Sequence, residues 1–126
     1  MQQYISNGES GLNTRNALNQ NFTELYDALY LPIKQPEISS NLNQPINANT
    51  FITFINLFPI SGSPTVRIGL TPNGQEIMVD QVIDNTYPNY PVQAQQYFAT
   101  AGTLYFTFSG TAGVINIRID VINNYN

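Results

Sequence analysis

The chain is 126 residues long, one domain's worth of sequence, with a net charge of -4 and only 10% charged residues, so Asn, Gln, Ser and Thr fill most polar positions. The four cations, Arg15, Lys34, Arg67 and Arg118, are scattered and cannot neutralise a run of phosphates, which argues against a nucleic-acid partner. Cys and His are absent, which removes disulfides, thiolate metal sites and the usual proton shuttle near neutral pH; no metal or cofactor is expected. The start "MQQYISNGES" has no basic segment leading into an apolar one, and no apolar run approaches the ~18 residues of a membrane span, so the expectation is a chain made and folded in cytoplasm, without membrane insertion.

In chain order, Leu18, Phe22, Leu25 and Leu29 recur at the spacing of a helix seam, with Asn16, Asn19, Gln20, Thr23, Glu24 and Asp27 on the other sides, which predicts a helix over 14–30. Asn13 or Thr14 can cap its start, and Pro32 ends it by removing a backbone donor. A helix this short is marginal alone, so its seam must be buried, either on its own chain's sheet as in an α+β monomer or against copies of itself. Residues 31–50 carry Pro32, Pro36 and Pro45 among polar residues with no sustained periodicity, which predicts an extended linker holding the helix away from the rest of the chain and favours self-association.

From Phe51 the chain turns into short β-branched and aromatic runs, about six strands in all. Residues 49–59 form the first; 65–70 and 75–83 flank "TPNG", a tight hairpin turn; 93–100 form the next. Residues 103–110 and 113–122 straddle "SGTAG" as the clearest expected hairpin. In the last strand Ile115, Ile117, Ile119 and Val121 share one face and Asn116, Arg118 and Asp120 the other, so one side packs and one is wet. The predicted fold class is mainly β: a short N-terminal helical stalk (1–30), an extended Pro/Asn-rich linker (31–50) and a small antiparallel, jelly-roll-like β-sandwich head (51–126). A head of that size buries only ~60% of its unfolded surface, and without Cys or His its remaining route to extra stability is oligomerisation.

The segment "YISNGESGLNTRNALNQNFTELYDAL" resembles one recurrent in bacteriophage tail-fibre and related virion proteins, through Gly8-Glu9-Ser10-Gly11, then Arg15, then Asn19-x-Asn21-Phe22-x-Glu24-Leu25-Tyr26. The resemblance covers about a quarter of the chain and implies an elongated homotrimer fixed to the particle by one end, with a β-rich tip reaching towards the host. On that footing residues 1–30 dock and trimerise, with Leu18, Phe22, Leu25 and Leu29 as the seam and Tyr4, Ile5, Leu12 and Arg15 as docking contacts to other virion proteins of capsid, tail or baseplate. The chain departs from long fibres in having no repetitive shaft, so a short spike, a head fibre or a capsid decoration fits as well as a tail fibre.

Residues 84–91, "DNTYPNYP", set Tyr87 and Tyr90 among Asn85 and Asn89, with Tyr97 close behind. Aromatic faces beside amides are what sugar rings need, because the ring stacks on the apolar sugar face while amides bond the hydroxyls; Tyr87, Asn89, Tyr90 and Tyr97 are therefore the candidate contacts to a host surface glycan. The same tyrosines can instead pack a loop or line a subunit interface. Asp80, Asp84 and Asn85 lack calcium-loop spacing, and although Glu76, Asp80 and Asp84 lie near one another, a head this small has little room for a glycosidase groove, so no catalytic residues and no enzyme are expected. Two functional classes remain: a homotrimeric virion protein, and a soluble monomeric carbohydrate-binding or adhesion module with the helix packed on its sheet.

Overall fold

Ile33 to Ile38 and Leu42 to Ile46, with the expected linker between stalk and head running straight through them, are strands β1 and β2 of the computed structural model, which describes residues 29–125. Pro36 and Pro45 are tolerated because, among the described residues, both strands are edges that pair only to β6, and Pro36 falls at the register shift between Gln35 and Ile38. Leu42, Gln44 and Ile46 turn inward and alternate with exposed Asn43 and Pro45, Ile46 is fully buried, and Gln35 on β1 donates to the Gln44 carboxamide oxygen on β2 at 2.6 Å. Of the expected stalk, Leu29 and Tyr30 are described and helical; Leu18, Phe22, Leu25, Tyr4, Ile5, Leu12 and Arg15 lie outside the described residues.

The remaining strands are β3 (Thr50–Gly69), β4 (Met78–Val82), β5 (Tyr90–Phe98) and β6 (Gly102–Ile122), all pairings being antiparallel. The two long strands pair with each other from Phe51↔Ile122 to Gly69↔Tyr105 and carry the rest. One half of the sheet has the order β1, second half of β6, first half of β3, β5; the other has β2, first half of β6, second half of β3, β4. The mainly β, antiparallel expectation holds. Two details differ. The stretches 49–59 and 65–70 are one strand, and Ser109–Gly113 is a bend inside β6 instead of a hairpin turn, because the segments on either side of it both pair with β3 and not with each other.

The bend is built on glycine. Gly62 and Gly110 sit at φ +69 and +70, and Gly62 lies opposite Gly113, where an added Cβ on either would run into partner-strand atoms at 2.3 Å. Each long strand gains one residue there, so the inward set changes from Ile55 and Leu57 to Val66 and Ile68 in β3, and from Leu104 and Phe106 to Ile115, Ile117, Ile119 and Val121 in β6. All of these, with Ile46, Ile52 and Ile83, form one buried cluster fed by both halves. The "TPNG" turn forms as expected: the Gly74 N–H meets the Thr71 carbonyl at 2.9 Å, Asn73 takes φ +62, and β4 returns alongside β3.

Strand directions set the two ends of the body. Leu29, Asn49, Phe98 and Asn123–Tyr125 lie together at one end: the Asn123 N–H bonds the Leu29 carbonyl at 2.6 Å, and the Tyr125 N–H bonds the Asn49 carbonyl at 2.8 Å. The glycine bend and the 83–89 loop lie at the other, where the Ile83 N–H bonds the Pro64 carbonyl at 2.8 Å.

Candidate functional site

The loop between β4 and β5 is fixed by Asp84. Its Oδ1 accepts from the Thr86 N–H at 3.0 Å and from the Tyr90 hydroxyl at 2.9 Å, and the Tyr90 oxygen lies 3.0 Å from the Asp84 carbonyl and 3.3 Å from its N–H. Hydrogen bonding from Thr86, then from Tyr90, holds the Asp84 carboxyl below its ordinary range, while partial burial and then the neighbouring Asp84 carboxylate push the Tyr90 phenol up. Tyr90 thus serves as the loop's latch, and it already belongs to β5, opposite Leu57.

Against this fixed ring stands Tyr87, edge-to-face at 5.5 Å between centroids and 85° between planes, with 59% of its surface exposed. Both rings line a groove of about 490 Å³, together with Met78 and Gln81 of β4, Asn89 of the loop and Pro91, Val92 and Gln93 of β5. The Asn89 amide nitrogen donates to the Asn56 Oδ1 at 3.3 Å, Asn56 donates to the Asp120 carboxylate at 3.0 Å, and Arg118 bonds the other Asp120 oxygen at 3.1 Å while lying 5.7 Å over the Phe58 ring. This polar chain anchors Asn89 and leaves its own Oδ1 enclosed without a partner among the described residues.

The structure therefore brings together Tyr87, Asn89 and Tyr90 of the four expected ligand contacts and sets Tyr97 elsewhere. Tyr97 faces Phe51 at the opposite end of β5, seven residues and roughly 20 Å from Tyr90. Its hydroxyl is 3.2 Å from both the Asn49 Oδ1 and the Tyr125 carbonyl, and its ring meets Tyr125, which in turn stacks on Phe51 at 5.0 Å. Gln81 and Gln93 join the groove without any signal in the sequence: lone glutamines carry none, and only the pairing of β4 and β5 to the same strand β3 places them across from each other.

The three carboxylates considered for calcium or sugar hydrolysis are each engaged. Asp80 is paired to Arg67 through both oxygens at 2.8 and 2.9 Å, which holds its carboxyl low, Glu76 bonds the Leu70 N–H and the Thr71 hydroxyl, and Asp84 is held by Thr86 and Tyr90. Among the described residues no three His, Cys, Asp or Glu side chains cluster as a metal site would require, and no helix is long and apolar enough to cross a membrane. Comparison with protein-family models, with curated proteins and with solved structures gave no match.

Proposed function

We propose that the chain is a structural protein of a bacteriophage virion: a short homotrimeric fibre or spike, on tail or head, assembled in the host cytoplasm. It attaches to other virion proteins through its N-terminal segment and displays a small β-sandwich head towards the host surface. The observation that supports this reading most is the polarity of the body. Leu29, the first described residue, lies beside the exposed side chains of Tyr30, Leu31, Tyr97 and Tyr125, whereas the Tyr87 groove and the glycine bend lie at the far end. One end suits attachment and subunit packing, the other display. The resemblance of residues 4–29 to virion fibre segments supplies the particle and the three-fold symmetry. A sandwich is supported by two four-stranded halves hinged at glycines around one shared core.

The test is the molar mass of the full chain by light scattering, expected at three times 14.1 kDa. Replacing Phe22 and Leu25 by Asp should dissociate the assembly while far-UV circular dichroism keeps its strand signal; an unchanged mass would sink the seam. The groove favours a second reading, a soluble monomeric carbohydrate-binding or adhesion module, and a monomeric full chain would move the function there. Neither reading assigns a catalytic step.

A further inference from the structure

The groove between β4 and β5 has the parts of a carbohydrate site, and the parts specify which carbohydrate. Tyr87 offers an open ring face that is already oriented, because its neighbour Tyr90 is tied down by Asp84, so little side-chain freedom is lost when a flat ligand stacks on it. Polar recognition around that ring is entirely by carboxamides. The Gln93 side chain makes no hydrogen bond among the described residues and Gln81 spends only its nitrogen, on the Val82 carbonyl at 3.1 Å, while Asn89, its nitrogen on Asn56 and its oxygen enclosed, supports the loop behind them. Carboxamides offer donor and acceptor side by side, which matches vicinal hydroxyls.

No Lys, Arg, Asp or Glu lines the groove. The nearest charges on β4 and the loop are committed, Asp80 to Arg67 and Asp84 to Thr86 and Tyr90, so an acidic sugar entering would lose hydration of its carboxylate without finding a cation. The volume, about 490 Å³, falls within the ~300 to 1,000 Å³ of small-ligand sites.

We propose that this groove binds an uncharged pyranose unit of a surface polysaccharide, with Tyr87 stacking on the sugar's apolar face and Gln81 and Gln93 reading its hydroxyls. The site deepens the display-end reading and rests on it for the source of the sugar, but the binding itself does not depend on the number of subunits. Single-site affinity is weak, as an open groove with one stacking ring dictates, and three copies on one spike would raise the effective affinity without any new contact.

The experiment uses the labelled full chain on an array of neutral and acidic glycans, with saturation-transfer NMR against the methyl glycosides of glucose, galactose, mannose, N-acetylglucosamine and glucuronic acid, and with the molar mass of the same sample measured alongside. The expected result is binding to at least one neutral probe, lowered roughly tenfold by Tyr87→Ala, lowered by Gln93→Ala, retained by Tyr87→Phe and unaffected by Tyr97→Ala. Because both altered side chains line an open groove, their melting curves should match that of the parent. Absence of neutral binding, a preference for the glucuronide or sialylated glycans, or binding indifferent to Tyr87→Ala would each overturn the proposal. Tyr87-dependent binding by a monomer would remove the trimer and keep the site; a trimer without binding would do the reverse.

Discussion

Glu76 closes the β3–β4 turn with a single carboxylate, one oxygen accepting the Leu70 N–H at 2.8 Å and the other the Thr71 hydroxyl at 2.9 Å. The Leu70 N–H first, then its own backbone and Thr71, hold its carboxyl below the ordinary glutamate range, as Arg67 does for Asp80 and Thr86 for Asp84. A carboxyl depressed in the folded state stabilises the fold above its unfolded pKa and ceases to do so as pH falls through its folded pKa. The melting temperature should therefore hold from neutral pH down to about 5 and drop below the carboxylate range near 4, and Glu76→Gln should flatten that acid limb; an acid limb unaltered by the substitution would show that the turn carries none of it. Thr50 poses the opposite problem. Its side-chain hydroxyl is enclosed without a partner among the described residues, on a residue 2% exposed. Thr50→Val keeps the shape and removes the unsatisfied group, so a gain of roughly 1 kcal/mol in denaturant unfolding is expected, and a loss would mean that the hydroxyl has found a partner.

At the scale of elements, the long strands β3 and β6 can turn together only where backbones approach closely. Gly62 combines φ +69 with an added Cβ that would sit 2.3 Å from the Ala112 carbonyl oxygen and 2.7 Å from the Gly113 Cα, all of it backbone that cannot swing aside. Gly62→Ala should cost about 1–3 kcal/mol or more, read as a fall in the denaturation midpoint, whereas an unchanged midpoint would place the bend's strength elsewhere. The bend also explains what the sequence could reveal. The alternation of Ile115 to Val121, the inward Leu104 and Phe106 and the Thr71–Gly74 turn follow from local periodicity and turn chemistry, and all three are present. Glycine-rich "SGTAG" has the composition of a hairpin turn, and only the partner strand β3 decides that the chain runs on through it. The prolines of 31–50 likewise mask two strands, since a proline signals a break unless the free edge beside it is known. In the site, Tyr87, Asn89 and Tyr90 could be found together because they are neighbours in sequence, while nearness in sequence misplaced Tyr97, which an extended strand carries to the far end of the body.

For the molecule as a whole, the described body runs from Leu29 to Tyr125. Among the described residues the buried core cluster lies between Ile46 and Val121, and β1 and β2 cover the edges of both halves of β6. A chain beginning at Leu29 should keep its strand content and a cooperative melt. One beginning at Asn47 loses Ile46 and the Gln35–Gln44 link and uncovers the edge of β6 along both halves, so it should aggregate or unfold. Light scattering on the Leu29 chain then locates the clamp. The seam reading expects a monomer, because Phe22 and Leu25 have been removed and a monomer leaves the Tyr97–Tyr125–Phe51 cluster at the entry end open to solvent. A retained threefold mass would instead place the subunit contacts in the body, with those entry-end aromatics the first to substitute. In that case Tyr97→Ser, with no effect on sugar binding, should lower the assembly mass of the Leu29 chain, whereas under the seam reading it changes neither mass nor binding.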